Sequence, residues 1–90
     1  MYQIFLTNEY LNAFDKFSKN ERLFLERKIK EYVAPQLKIE PHYGVNIKKL
    51  RNYSPETWRY RIGKFRLFYL IDENSKIVSL ITIDYRKDAY

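Results

Sequence analysis

The sequence predicts an α+β fold: an N-terminal helical hairpin packed on one antiparallel sheet, in the order β-α-α-β-β-β-β. Three observations carry this. Residues 8–34 hold apolar side chains at helical spacing in two blocks. Residues 46–85 read as strands, alternating or rich in β-branched and aromatic side chains, separated by turn signals. Helix-like and strand-like stretches are segregated rather than interleaved, which favours helices laid on one face of an antiparallel sheet and leaves the other face free for a ligand.

Tyr2, Ile4 and Leu6 alternate with Gln3 as a short first strand. Thr7 or Asn8 can cap a helix whose apolar face is Tyr10, Leu11, Phe14 and Phe17. Ser18-Lys19-Asn20-Glu21 fits a capping box, and Leu25, Ile29, Tyr32 and Val33 mark the apolar stripe of a second helix. Pro35 is expected to help end that helix, because the residue before a proline avoids the helical region. Residues 38–46 form a loop punctuated by Pro41 and Gly44, and Asn46–Arg51 is a short strand. Trp58, Tyr60 and Ile62 alternate with Arg59 and Arg61, Gly63-Lys64 is a tight hairpin turn, and Phe65–Ile71 returns. Asp72-Glu73-Asn74-Ser75 is a turn before a β-branched last strand, Lys76–Tyr85. The expected core is Leu11, Phe14, Leu25, Ile29, Tyr60, Leu67, Tyr69 and Ile81, and the aromatics Trp58, Tyr60, Phe68 and Tyr69 are read as core rather than as stacking platforms.

A chain of 90 residues is expected to form one domain, residues 1–90, with a core that needs no covalent staple. It has no Cys and one His, which excludes disulfides, thiolate-bound metals and a multi-histidine site within one chain. No metal or cofactor is expected. No apolar run is long enough to span a bilayer, and the first residues lack a basic lead and long apolar stretch, so no membrane association and a cytoplasmic location are expected. The net charge of +6 is unevenly spread. Residues 1–45 carry 7 basic and 6 acidic side chains, residues 46–90 carry 10 and 5. A basic, aromatic-rich second half suits a polyanion or an acidic protein, because cations neutralise phosphates and aromatic faces stack on unpaired bases. A solvated basic surface over an aromatic core remains the plain alternative.

Three stretches resemble the RelE/ParE toxin superfamily, particularly its RelE/StbE-like members: Val45-Asn46-Ile47-Lys48-Lys49-Leu50, then residues 58–72 (WRYRIGKFRLFYLID), then residues 83–90 (IDYRKDAY). The family's usual wording there is a lysine-leucine strand, "YRLRVGDYRVIYEID" and a closing "GHRKDVY". The order and length of the N-terminal elements also agree, so the resemblance covers the whole chain. It implies the toxin of a type II toxin–antitoxin system, neutralised by a cognate acidic antitoxin. RelE-like members cut messenger RNA in the ribosomal A site and inhibit translation. ParE-like members share the fold, poison DNA gyrase and need no nuclease residues.

The resemblance also implies roles. Cutting RNA without a metal drives the 2′-OH onto the adjacent phosphorus, which calls for a base, cations against the growing phosphorane charge, and an acid for the leaving 5′-oxygen. Arg66 matches the family arginine that stabilises the scissile phosphate, a task a planar guanidinium suits because it grips two oxygens at once. Arg86 and Tyr90 match the closing motif, as phosphate-holding and proton-transferring or base-stacking residues. A phenol titrates near about pH 10, so Tyr90 needs neighbouring cations to act as a base. Arg59 and Arg61 share a strand face, and Lys48, Lys49, Arg51, Lys64 and Lys87 extend the RNA- and ribosome-contacting set. For the strand and loop cations the alternative is a charged solvent face, for Arg66 a strand arginine pairing with Asp or Glu, and for Arg86 an exposed arginine that binds ribosomal RNA or antitoxin. Two departures stand out. Tyr85 replaces the histidine that many active members carry, and no glutamate base is matched. His42 matches no motif and is read as a surface histidine.

Overall fold

The computed structural model describes residues 1–85. β1 (Gln3–Leu6) leads into α1 (Asn8–Asp15), where Thr7 is the cap: its Oγ1 accepts the Tyr10 N–H at 3.1 Å and donates to the Leu80 carbonyl at 2.8 Å. One side chain thus starts the helix and ties it to the last strand. The capping box forms, with Ser18 and Glu21 exchanging bonds of 2.9 and 3.2 Å at the start of α2 (Lys19–Lys28).

The second helix does not end before Pro35. It passes through a π-helical turn, Ile29–Val33, closed by the Ala34 N–H on the Ile29 carbonyl, and continues as α3 (Ala34–Ile39). In unbroken α register the Pro35 ring would meet the Glu31 carbonyl; the wider π turn re-aims the carbonyls, and Pro35 then occupies the first turn of α3, where its missing N–H is not needed. The extra turn places Leu37 in the core.

The remaining chain forms β2 (Ile47–Lys49), β3 (Trp58–Ile62), β4 (Phe65–Asp72) and β5 (Ile77–Tyr85). The sheet order is β1-β5-β4-β3-β2. Successive strands from β2 to β5 are antiparallel, as expected, but β1 pairs parallel to β5, so the sheet is mixed at one edge. The cause is parity: the helical hairpin delivers β2 running opposite to β1, and three reversals later β5 runs with β1. Gly63 takes φ 56 at the first central position of the two-residue β3–β4 turn, a conformation a side chain would strain.

The core lies between the helices and one sheet face: Tyr10, Leu25, Val33, Leu37, Trp58, Tyr60, Ile62, Phe65, Leu67, Tyr69, Val78, Leu80 and Ile83, with Phe14 and Ile29 partly buried against it. Three expectations are corrected. Leu11 is 42% exposed, because Tyr10, Ala13, Phe14 and Phe17 turn inward instead. Ile81 is half-buried: the register slips between Phe68–Thr82 and Tyr69–Leu80, leaving Ile81 as the extra residue of a β-bulge, and Ile83 takes the core position. Phe68 lies half-buried on the sheet face away from the helices.

Candidate nucleic-acid interface

Alternation along β3 and β4 sends Trp58, Tyr60, Ile62, Phe65, Leu67 and Tyr69 to the helices and Arg59, Arg61, Arg66 and Phe68 to the opposite face. Register then assembles two rows there. Lys48 on β2 is opposite Arg59, which is opposite Phe68, which is opposite Thr82. One step nearer the β3–β4 turn, Arg61 is opposite Arg66, which is opposite Asp84. Arg61 donates its N–H to the Asn46 carbonyl, at 2.9 Å on the β2 side, so Arg61 and Arg66 form the non-hydrogen-bonded kind of pair, whose side chains stand closest. Like charges so placed oppose folding and attract an anion. The Arg66 guanidinium lies 5.7 Å from the Phe68 ring centroid, so the aromatic supports the cation on this face.

The other expected contacts separate. Lys49 pairs with Trp58 on the helix side, and its Nζ meets Glu56 at 2.8 Å, so it leaves the face that Lys48 joins. Arg51 is exposed in the β2–β3 loop beside exposed Tyr53, and Lys64 is exposed in the β3–β4 turn. Arg86, Lys87 and Tyr90 lie outside the described residues. Tyr85 is opposite Phe65 and packs on its ring edge-to-face at 5.1 Å, on the helix side of the sheet. Before the start of β2 and beside the end of β3, a groove of about 700 Å³ runs from Arg61 and Gly63 to Phe24, Lys28 and Tyr32 on the second helix, with fully exposed Val45 at its rim.

His42 is not a plain surface histidine. It is half-buried at the other end of the sheet, edge-on to Trp58 at 5.3 Å. Its Nδ1 bonds Glu40 at 2.7 Å and its Nε2 bonds Glu73, while Glu73 also accepts from the Tyr2 hydroxyl at 2.7 Å. Partial burial pushes the His42 pKa down, but the two carboxylates outweigh it and hold the imidazole above its ordinary value. The His42 backbone N–H and ring lower Glu40, the Tyr2 hydroxyl and His42 lower Glu73, and the bond to Glu73 raises Tyr2 to about 12. A lone histidine in sequence carries no sign of this, because Glu73 is 31 residues away. The cluster joins the N-terminal segment, the α3–β2 loop and the β4–β5 turn. Among the described residues no group of His, Asp and Glu is arranged to hold a metal ion, and no helix is long and apolar enough to cross a membrane.

A chain of the RelBE2 toxin–antitoxin complex of Mycobacterium tuberculosis is similar at TM-score 0.73 and 20% identity, over 94% of this chain and 98% of that one. The isolated RelE toxin of E. coli is similar at TM-score 0.71 and 20% identity, over 99% and 88%. YoeB from a Staphylococcus aureus dimer is similar at 0.69 and 17%, over 96% and 98%. At these identities the likeness concerns the fold. No curated protein matches in sequence. The family model for the ParE toxin of type II toxin–antitoxin systems matches residues 9–90, nearly the whole chain, and the chain therefore belongs to that toxin family, within the RelE/ParE superfamily.

Proposed function

We propose that the chain is a ribosome-dependent endoribonuclease that cuts messenger RNA by 2′-OH attack, in a step that needs no metal ion, and so inhibits translation. The observation that carries this reading is the pair of cross-strand rows placing Lys48, Arg59, Arg61 and Arg66 on one sheet face. The fold likeness to RelE and YoeB toxins supports it. In this reading residues 1–90 act as one toxin domain in the cytoplasm. Arg66 offsets the charge of the phosphorane, and Lys48, Arg59 and Arg61 hold the backbone. Lys49, Arg51 and Lys64 touch RNA or ribosome at the rim, and Arg86, Lys87 and Tyr90 act as the family resemblance implies. A held substrate recovers several kcal/mol of barrier, which makes the ribosome a working part of the site. An acidic antitoxin covers the basic face, and its association is salt-sensitive.

A ParE-type gyrase inhibitor is the second reading, favoured by the family model that matches, which is that of a ParE toxin. Primer extension on a translated message, beside a gyrase supercoiling assay, separates the two. Wild-type protein should cut the message, and Arg66→Ala should lose about a hundredfold, as for one lost donor to a developing charge. An intact message with gyrase trapped on DNA gives the second reading instead.

A further inference from the structure

The arginine end of the sheet carries one carboxylate among the described residues, Asp84. It stands on β5 directly opposite Arg66, in the row Arg61–Arg66–Asp84, and it is exposed. Its neighbour Tyr85, which occupies the position where many relatives carry a histidine, points the other way and is spent on the Phe65 ring. His42 sits at the far end of the sheet. The described residues sharing Asp84's end of the face are cations at neutral pH, and a cation takes no proton. A carboxylate beside a phosphate-holding arginine pair also repels the polyanion that the pair attracts, so it weakens binding. As the cross-strand partner of Arg66 it contributes modestly to the fold, the strand pairing that the sequence allowed, and a part in the reaction gives it a second use.

We propose that Asp84 is the proton acceptor for the 2′-hydroxyl. The inference rests on the nuclease reading above and adds to it the base that the sequence does not reveal. The Asp84 carboxylate takes the 2′-OH proton as the 2′-oxygen forms its bond to phosphorus. The bond from phosphorus to the 5′-oxygen breaks, and its electron pair leaves on that oxygen, which takes a proton from water. Asp84 then returns its proton to water. The products are a 2′,3′-cyclic phosphate and a 5′-hydroxyl, and no water is consumed. Arg66, one strand away, faces the same phosphate, so base and charge stabiliser lie side by side across β4 and β5.

Asp84→Asn tests this by single-turnover cleavage of a ribosome-held message. The substitution is isosteric at an exposed site, so the fold is retained, which a thermal melt checks. The rate at neutral pH should fall by about 10²–10⁴-fold, the range for a general base. Ribosome binding should stay equal or tighten, because a negative charge has gone. Between about pH 6.5 and 8.5 the wild-type rate should be flat, because the side chain and not hydroxide takes the proton, while the variant should climb about tenfold per unit as hydroxide takes over. A variant within about fivefold of wild type overturns the assignment, as does a slower variant with the same flat profile, which would mark a positioning role. An active wild type beside an active Asp84→Asn sinks this inference alone; an inert wild type sinks the nuclease reading and the inference with it.

Discussion

Leu37 tests the least expected part of the fold, the helical turn beyond Pro35. It is fully buried, so Leu37→Ala removes three carbons from the core. At about 0.8 kcal/mol for each buried carbon the transfer loss alone is about 2.4 kcal/mol, and the cavity raises it towards about 3, within the usual range of about 2–5. A 90-residue domain holds roughly 5–13 kcal/mol of stability, so the variant should fold with a visibly reduced margin. At about 4–8 °C per kcal/mol its Tm should fall by about 12–24 °C. Leu11→Ala is the control: Leu11 is 42% exposed and should cost less than about 1 kcal/mol. Urea melts at constant m, with thermal melts beside them, measure both. If Leu37→Ala costs no more than Leu11→Ala, the helix stops before Pro35 and Leu37 lies in a loop.

Two further outcomes follow from single contacts. Tyr69→Phe should lose about 1–3 kcal/mol in a urea melt, because the buried Tyr69 hydroxyl donates to the Pro41 carbonyl at 2.7 Å and its removal leaves that carbonyl buried without the bond. The stabilisation that His42 contributes should be complete below its unfolded value near 6.5 and fade as pH rises through the higher folded value, so the Tm gap between wild type and His42→Ala should shrink from about pH 6 to pH 9. It should shrink again in acid, as Glu40 and Glu73 are protonated through their lowered values; a gap that widens with rising pH would contradict the clasp.

What could be read in the sequence was local. The capping box is written in Ser18 and Glu21, the hairpin in Gly63, and the two sides of β3 in strict alternation of Arg59 and Arg61 with aromatic neighbours. What could not be read depends on distant partners or on one-residue slips. β1 pairs with a strand more than 70 residues on, and no local pattern states its direction. The bulge at Ile81 moves the core position to Ile83, and periodicity carries no sign of a slip until it has happened. The π turn lets the helix run through a proline that ordinarily ends one. The same rule divides the site. Arg59, Arg61 and Arg66 share a face legibly, but that Lys48 joins them while Lys49 turns to Glu56 is set by register between β2 and β3.

The Arg61–Arg66 pair carries its own test, because it sets stability against binding. Two like charges directly opposite in a sheet cost about 0.2–1 kcal/mol, and here the pairing is of the closer kind. Arg61 is exposed and buries little, so packing does not explain it. Asp84, opposite Arg66, offsets part of this repulsion; a polyanion on the face would remove the rest and, by binding only the folded state, stabilise it by about 2.7 kcal/mol at a hundred times its Kd. Arg61→Gln keeps a long, unbranched polar side chain in the strand and removes one charge. Without ligand its Tm should equal or exceed that of wild type. With a single-stranded RNA its affinity should fall, and the slope of log affinity against log salt should lessen by about 0.7, the value for one phosphate contact to a single strand. Melts with and without RNA, and binding titrations at several salt concentrations, measure these quantities. A variant that is less stable without ligand yet keeps the wild-type salt slope would show that Arg61 serves the fold and not the ligand.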